Sequence, residues 1–345
     1  MNDYSFLVPR ARKKHLFVVE GEHEKDNLFN LILKCFPEID IDIDNIIVYG
    51  TNIYNLYQDI VNEYGVDWKD NDVDLPYLVS SKKGISPPYK KRDFNNILLV
   101  FDYERHHPRF DEAEITALQT YFNDMAGTGQ LYLNYPMIES YRHFKTLPDP
   151  DYEFYSECSS MEIGNIYKNK TQEVFTFVHS IVSFPKTLKH QLKTRFDVAN
   201  DVLIETCVSS LLEINRSESL LEKVRTILEI ALSDPKLTTA TYYITHLIQK
   251  LEYTNHHQSY FDYARWLFQQ IAVHNIRKAH KIQNGIYQFP APELKANFLS
   301  LDFNKVVELQ NDSSRDIETG VVWVLNTCIL FIPEYDFGLL DDGSL

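Results

Sequence analysis

Apolar positions in the first half of the chain fall in short unbroken runs that alternate with helically spaced ones. After His15, the run Leu16-Phe17-Val18-Val19 is continuously apolar, the pattern of a strand buried on both faces, and it predicts a strand over 15–20. Over 22–35, Leu28, Leu31, Ile32 and Cys35 recur at helical spacing. Ile46-Ile47-Val48-Tyr49 predicts a second strand, closed by Gly50, and Ile53, Leu56, Tyr57, Ile60 and Val61 place one apolar face on a helix over 53–64. From Gly65 to Asn95 the chain is polar and turn-rich, with Pro76, Pro87 and Pro88, and reads as an inserted loop. A third strand over 97–102, a third helix over 110–125 and a fourth strand over 131–134 complete the series. Such alternation predicts an α/β fold, a parallel four-stranded sheet with right-handed crossovers and flanking helices.

The second half changes character. Val202-Leu203-Thr206-Cys207-Ser210-Leu211 and Val224-Ile227-Leu228-Ala231 are amphipathic, Asp234-Pro235 breaks a helix, and another resumes over 238–252. Strand-like sequence returns only near Val321. The expectation is two domains: 1–148 carrying the sheet, with an insert at about 65–95, and 149–345 mainly α-helical, ending in an extended stretch from Trp323 to Ile332. The helical half shows no internal repeat and no site-like cluster, so it reads as an accessory that binds a partner or shapes the substrate. Trp266 and Trp323 read as core residues.

Composition narrows the classes. With 44% apolar and 24% charged residues, 22 Tyr, 21 Phe and only 11 Gly, the chain is neither disordered nor built around a Gly-rich phosphate loop, and it has no Walker A sequence. Cys35, Cys158, Cys207 and Cys328 are scattered, without zinc-motif or disulfide spacing, so a reduced cytoplasmic setting is expected. Met1 to Arg12 is basic without an apolar run, so no secretory leader is expected. The apolar run from Val321 to Pro333 is too short and interrupted to span a bilayer, and no membrane association is expected. A net charge of −15 disfavours a broad nucleic-acid-binding face. It leaves room for local phosphate contacts at Arg10, Arg12, Lys13 and Lys14, at Lys82 and Lys83, at Lys90 to Arg92, and at Lys186, Lys189, Lys193 and Arg195. Most of these read as solvated surface.

The candidate chemistry is acidic and sits where apolar runs end. Val19 is followed by Glu20-Gly21-Glu22-His23-Glu24, Phe101 by Asp102-Tyr103-Glu104, and Asn134 by Tyr135-Pro136-Met137-Ile138-Glu139. Ligands of parallel sheets gather at the carboxyl ends of the strands. Carboxylates that converge there repel one another, and the usual reason for assembling them is a hard divalent cation, Mg²⁺ or Mn²⁺, serving phosphoryl transfer. Helix-dipole complementarity accounts for Glu22 and in part for Glu24, but poorly for Glu20 and Asp102. Glu139 can bind metal, orient a ligand, or pair with Arg142 or His143. His106 and His107 read as a solvated loop before Pro108 at least as well as phosphate contacts or proton-transfer groups, while His256-His257 and His274, Arg277 and His280 read as surface or packing residues.

Val19-Glu20-Gly21-Glu22-His23-Glu24 followed by Asp102-Tyr103-Glu104 resembles the signature of the TOPRIM domain of topoisomerases, DnaG-type primases and OLD-family nucleases. The V-E-G-x-x-E form is similar to the nuclease branches. Tyr135-Pro136-Met137-Ile138-Glu139-Ser140-Tyr141-Arg142-His143-Phe144 resembles the N-P-x-x-E-x-W segment of RloB-type TOPRIM proteins. The resemblance covers about 14–145, and the usual D-x-D is D-x-E here. It implies a TOPRIM-type sheet and a Mg²⁺- or Mn²⁺-dependent nuclease acting on DNA or RNA. Glu20, Asp102 and Glu104 would be metal ligands, Glu24 would join them, and Glu139 would complete or orient the site. RloB-like proteins stand beside ABC-type ATPases in anti-phage defence, which implies a defence effector with an ATPase partner. Two other readings remain: a non-catalytic interaction module that keeps the fold with a degenerate metal site, and a receiver-like phosphoacceptor domain. The latter is opposed by the lack of a lysine closing a fifth strand.

Overall fold

The computed structural model describes residues 13–22, 24–144, 146–147, 157–159, 164–173, 176–215, 219–251, 259–316 and 318–340. Strands β1 (Lys13–Val19), β2 (Ile46–Val48), β3 (Phe94–Asp102), β4 (Asn123–Asp124) and β5 (Gly129–Asn134) form one sheet in the order β2-β1-β3-β5-β4. β2, β1, β3 and β5 are parallel, with Phe17 opposite both Ile46 and Leu98, and Asp102 opposite Asn134. These are the four strands expected from the sequence. The purely parallel four-stranded sheet is corrected to a mixed five-stranded one, because β4 pairs antiparallel with β5 at the edge. Two residues are too few to show a period.

The unbroken apolar runs are explained by burial on both faces. Phe17, Val19, Leu98, Val100 and Tyr132 join one apolar cluster, and their neighbours Leu16, Val18, Leu99, Phe101, Leu131 and Leu133 join another. The first cluster takes in a π-helical turn, Glu24–Phe29, that continues into α1 (Asn30–Cys35). The second takes in α2 (Ile53–Tyr64) and α4 (Glu112–Tyr121), whose first turns are capped by Asn52 and Asp111.

The insert expected as a loop is instead packed. It contains α3 (Leu75–Lys82), which starts at Asp74, whose Oδ1 accepts from Tyr77 N at 3.1 Å, with Pro76 in the first turn. Asp and Pro in those positions are helix-start signals as well as turn signals, and burial decides between them. Trp68 is fully buried, edge-on to Tyr57 and Tyr121 with ring centroids 6.0 and 5.0 Å apart. The tryptophans expected in the core, Trp266 and Trp323, are only half-buried.

The later residues form β6 (Glu157–Ser159), α5 (Asn165–Glu173), α6 (Thr176–Val182), α7 (Phe184–Thr194), α8 (Asp201–Leu212), α9 (Leu220–Leu228), α10 (Lys236–Lys250), α11 (Tyr260–Asn284), α12 (Leu294–Leu299), α13 (Phe303–Ser314), β7 (Val321–Trp323) and α14 (Phe331–Tyr335). The break at Asp234-Pro235 separates α9 from α10 as expected. The longest helix, α11, is held by a Ser259–Asp262 capping box and ends at Gly285 with φ +78°, the left-handed conformation glycine adopts without strain.

The extended stretch expected from Trp323 to Ile332 is a correction: only Val321–Trp323 is strand, paired antiparallel with β6, and Cys328–Leu330 is a 3-10 turn leading into α14. Asn326 Oδ1 accepts from Ile329 N at 3.2 Å and turns the chain there. This returning segment docks on the sheet. Tyr135 and Leu325 form an isolated bridge, Thr327 Oγ1 donates to Leu133 O at 2.8 Å, and Cys328 N donates to Asn134 Oδ1 at 3.2 Å. Tyr103 Oη donates to Asn311 Oδ1 of α13 at 2.6 Å. Among the described residues no helix is long and apolar enough to cross a membrane.

Burial of the insert generates a prediction. Trp68→Ala removes a fully buried indole and should lower unfolding free energy by about 3–5 kcal/mol, read from urea midpoints at constant m. A loss below about 1 kcal/mol would show that residues 65–95 do not belong to the core.

Candidate functional site

The site lies at the carboxyl ends of β1, β3 and β5. Glu20 follows the last residue of β1, and its carbonyl accepts from Gly50 N at 2.8 Å, which ties it to the end of β2. Its Oε2 lies 3.4 Å from Asp102 N, bridging two neighbouring strand ends. Asp102 ends β3, is buried, and has Oδ1 pinned by Ile138 N at 2.7 Å. Asn134, its partner across the sheet, is fully buried, and its Nδ2 has no hydrogen-bond partner.

Gly21 allows Glu24 to reach this corner. A Cβ at position 21 would stand 2.8 Å from Glu24 Oε2, so any side chain there displaces that carboxylate. Glu24 opens the π-helical turn and is buried, with Oε2 unpartnered. Glu22, by contrast, is exposed. Glu104 takes φ +39°, a left-handed conformation costly for a non-glycine residue. Its N–H donates to Pro136 O at 3.2 Å, and its carbonyl accepts from His107 N at 2.8 Å. Glu139 lies on the 3-10 turn Ile138–Arg142 and is 4% exposed. Its Oε1 stands 3.6 Å from Lys168 Nζ and 4.0 Å from Arg142 Nη2, and its Oε2 has no hydrogen-bond partner.

The electrostatics follow from that crowding. Burial, then Glu104 and Glu24, push the Glu20 carboxyl up to about 8, against lowering by the Asp102 N–H and Lys168. Burial drives Asp102 well above the usual carboxylate range, reinforced by Glu20, Glu139, Glu24 and Glu104. Burial raises Glu24 too, with Glu139 adding to it. Lys168 loses to burial but gains more from Glu139, Asp102 and Glu24, and its pKa rises. The five carboxylates and Lys168 therefore act as one electrostatic group.

Of the five expected acidic residues, Glu20, Glu24, Glu104 and Glu139 all act electrostatically on Asp102. Lys168, on α5, was not legible in the sequence, since nothing in its spacing relates it to Glu139. Arg142 was legible as a neighbour of Glu139, and it is buried against Thr171 Oγ1 at 3.0 Å and His179 Nδ1 at 3.1 Å. The histidines separate. His107 stacks on Tyr54 and meets Asn52 Nδ2 at 3.0 Å, a packing role. His106 is held below its usual range by burial, partly offset by Glu104, and lies beside Gly164 at the start of α5. His143 meets Tyr167 Oη at 2.9 Å, and His274 meets Tyr287 Oη, both in the interior. His256-His257 lies outside the described residues. Several lysines of the basic clusters are ion-paired on the surface: Lys82 with Asp59, Lys91 with Asp72, Lys189 with Glu205 and Lys193 with Asp201.

The donor chemistry fits a hard divalent cation: oxygen ligands only, with buried carboxylate oxygens on Glu24 and Glu139 left without partners. As the side chains stand, no group of three or more His, Cys, Asp or Glu among the described residues forms a metal-holding set. Comparison with family models, curated proteins and solved structures finds no match.

The raised carboxyls make a prediction about pH. Folded Glu20, Glu24 and Asp102 keep protons that the unfolded chain releases near 4–4.5, so the fold binds more protons than the unfolded state. Stability is then fully present below that range and is lost as pH rises through the folded values, about 8 for Glu20. In EDTA, Tm should fall from pH 5.5 to 8.5, each group contributing at most ~1.4 kcal/mol per pH unit. A Tm that rises over that interval contradicts the assignment.

Proposed function

We propose that the chain is a Mg²⁺- or Mn²⁺-dependent nuclease whose site is built by Glu20, Glu24, Asp102 and Glu104 as ligands, with Glu139 orienting them. The observation that carries this reading is the convergence of buried carboxylates at adjoining strand ends, their carboxyl pKa values pushed upward in the absence of an added charge. Within a fold that loses stability by this repulsion, a divalent cation is the economical compensation. When bound, the cation supplies Lewis-acid stabilisation of a phosphate and a water made more acidic.

The chain's own groups do the rest. Ile138 N holds Asp102 in one orientation, and the Asp102 N–H draws Glu20 toward β3. Glu104 sits on a left-handed backbone, and its charge partly offsets the burial that holds His106 below its usual range. The resemblance to RloB-type and OLD-family TOPRIM proteins supports DNA or RNA as substrate, an ABC-type ATPase as partner and a role in anti-phage defence, and the scattered cysteines support a cytoplasmic setting.

One observation favours a second reading. Lys168 stands against Glu139, and no metal-holding set is assembled among the described residues, which suits a non-catalytic interaction module with a degenerate site.

One panel separates the two: plasmid, linear DNA and tRNA incubated with Mg²⁺, Mn²⁺ or EDTA. The nuclease reading expects cation-dependent cleavage of at least one substrate. It also expects Glu20→Gln or Asp102→Asn to cut the rate more than about 100-fold while raising Tm in EDTA at neutral pH, since each replaces a carboxyl that the fold holds against its preferred ionisation. Full activity in both folded variants would end the metal mechanism, and no cleavage with no cation binding would favour the module.

A further inference from the structure

Lys168 belongs to α5, whose placement is set by two buried anchors. Tyr167 is fully buried and meets His143 Nδ1 at 2.9 Å, while the buried Thr171 Oγ1 accepts from Arg142 Nε at 3.0 Å. Both anchors grip the turn that bears Glu139 and the residues just after it, so the position between them faces the carboxylates. Lys168 Nζ lies 3.6 Å from Glu139 Oε1, and its charge acts on Glu139, Asp102 and Glu24.

Two cations stand at this cluster, and they differ in freedom. The Arg142 side chain is 1% exposed and held by Thr171 and His179. The Lys168 side chain is 44% exposed. Its ammonium sits on a flexible four-carbon stem and can return to water at little cost, whereas a buried guanidinium cannot. Glu24 Oε2 and Glu139 Oε2 lack hydrogen-bond partners even with Lys168 in place, as does Arg142 Nη2, which is held 4.0 Å from Glu139 Oε1.

We propose that Lys168 is the resident cation of the carboxylate cluster: its ammonium compensates Glu139 and its neighbours in the metal-free protein and competes with an entering divalent cation, swinging outward as the cation binds. This rests on the nuclease reading's cation site and adds to it a built-in competitor that sets how much free cation the site requires. Two unlike cations seeking the same oxygens in a partly enclosed corner oppose each other, and removing one strengthens binding of the other.

The test measures Mn²⁺ binding by calorimetry and Tm in EDTA and in saturating Mn²⁺, for the full chain and for Lys168→Gln, Lys168→Met and Lys168→Arg. Met keeps most of the stem's packing if Gln perturbs α5. Removing the charge should tighten Mn²⁺ roughly tenfold, lower Tm in EDTA, and leave Tm in saturating Mn²⁺ close to that of the parent. Arg should stay near the parent in all three. If the parent binds Mn²⁺ and the neutral variants bind it equally or more weakly, the competition is overturned while the cation site stands. If the parent takes no Mn²⁺ at all, the cation site falls and the inference with it.

Discussion

Mutual repulsion among carboxylates in a poorly hydrated corner is the constraint on which this structure turns. Glu20, Glu24, Asp102, Glu104 and Glu139 act on one another near the ends of three strands, and several are buried deeply enough that the charged form is disfavoured. Charge of that density is tolerated only with compensation by protons, by cationic side chains or by a bound cation. Arg142 and Lys168 provide part of it, and the raised carboxyls at Glu20 and Asp102 show that part is still missing.

The sheet sets the distances. In a parallel sheet neighbouring strands end at similar heights, so residues following Val19, Phe101 and Leu133 arrive at one edge without special loops. What makes the edge rigid is supplied from far along the chain. Asn326 Nδ2 donates to Ile138 O at 3.0 Å and to Ser140 Oγ at 3.1 Å, supporting the turn that pins Asp102 and carries Glu139. Thr327 and Cys328 hold the end of β5, and Tyr103 is tied to α13. The division expected near residue 148 is thus crossed by the hydrogen bonds that support the site.

Within this frame the ligand groups differ in burial and in how they are held. Asp102 is fixed by a short backbone hydrogen bond and by burial, while Glu20 and Glu104 keep some exposure and longer stems. Glu24 is free to approach only because position 21 has no side chain. One fixed carboxylate among adjustable ones suits a site that must compensate its charge in more than one way, and Lys168 is the group best able to move.

The four parallel strands and the acids that close β1 and β3 can be read from the amino-acid order, because both are written in contiguous residues. Leu16 to Val19 and Ile97 to Phe101 are apolar without interruption since both faces are covered, and the acids begin where that cover ends. The helix over 53–64 and the break at Asp234-Pro235 were legible for the same local reason. The packed insert was not, since Asp74 and Pro76 signal a turn or a helix start alike until Trp68 is seen buried. Nor was the helical ending of 328–335, where Asn326 redirects an apolar run that pattern alone would read as extended. Tertiary structure alone placed Lys168 against Glu139 and Asn326 beneath Ile138. Those pairings join residues far apart in sequence through packing, and packing leaves no periodic trace in the order of the amino acids.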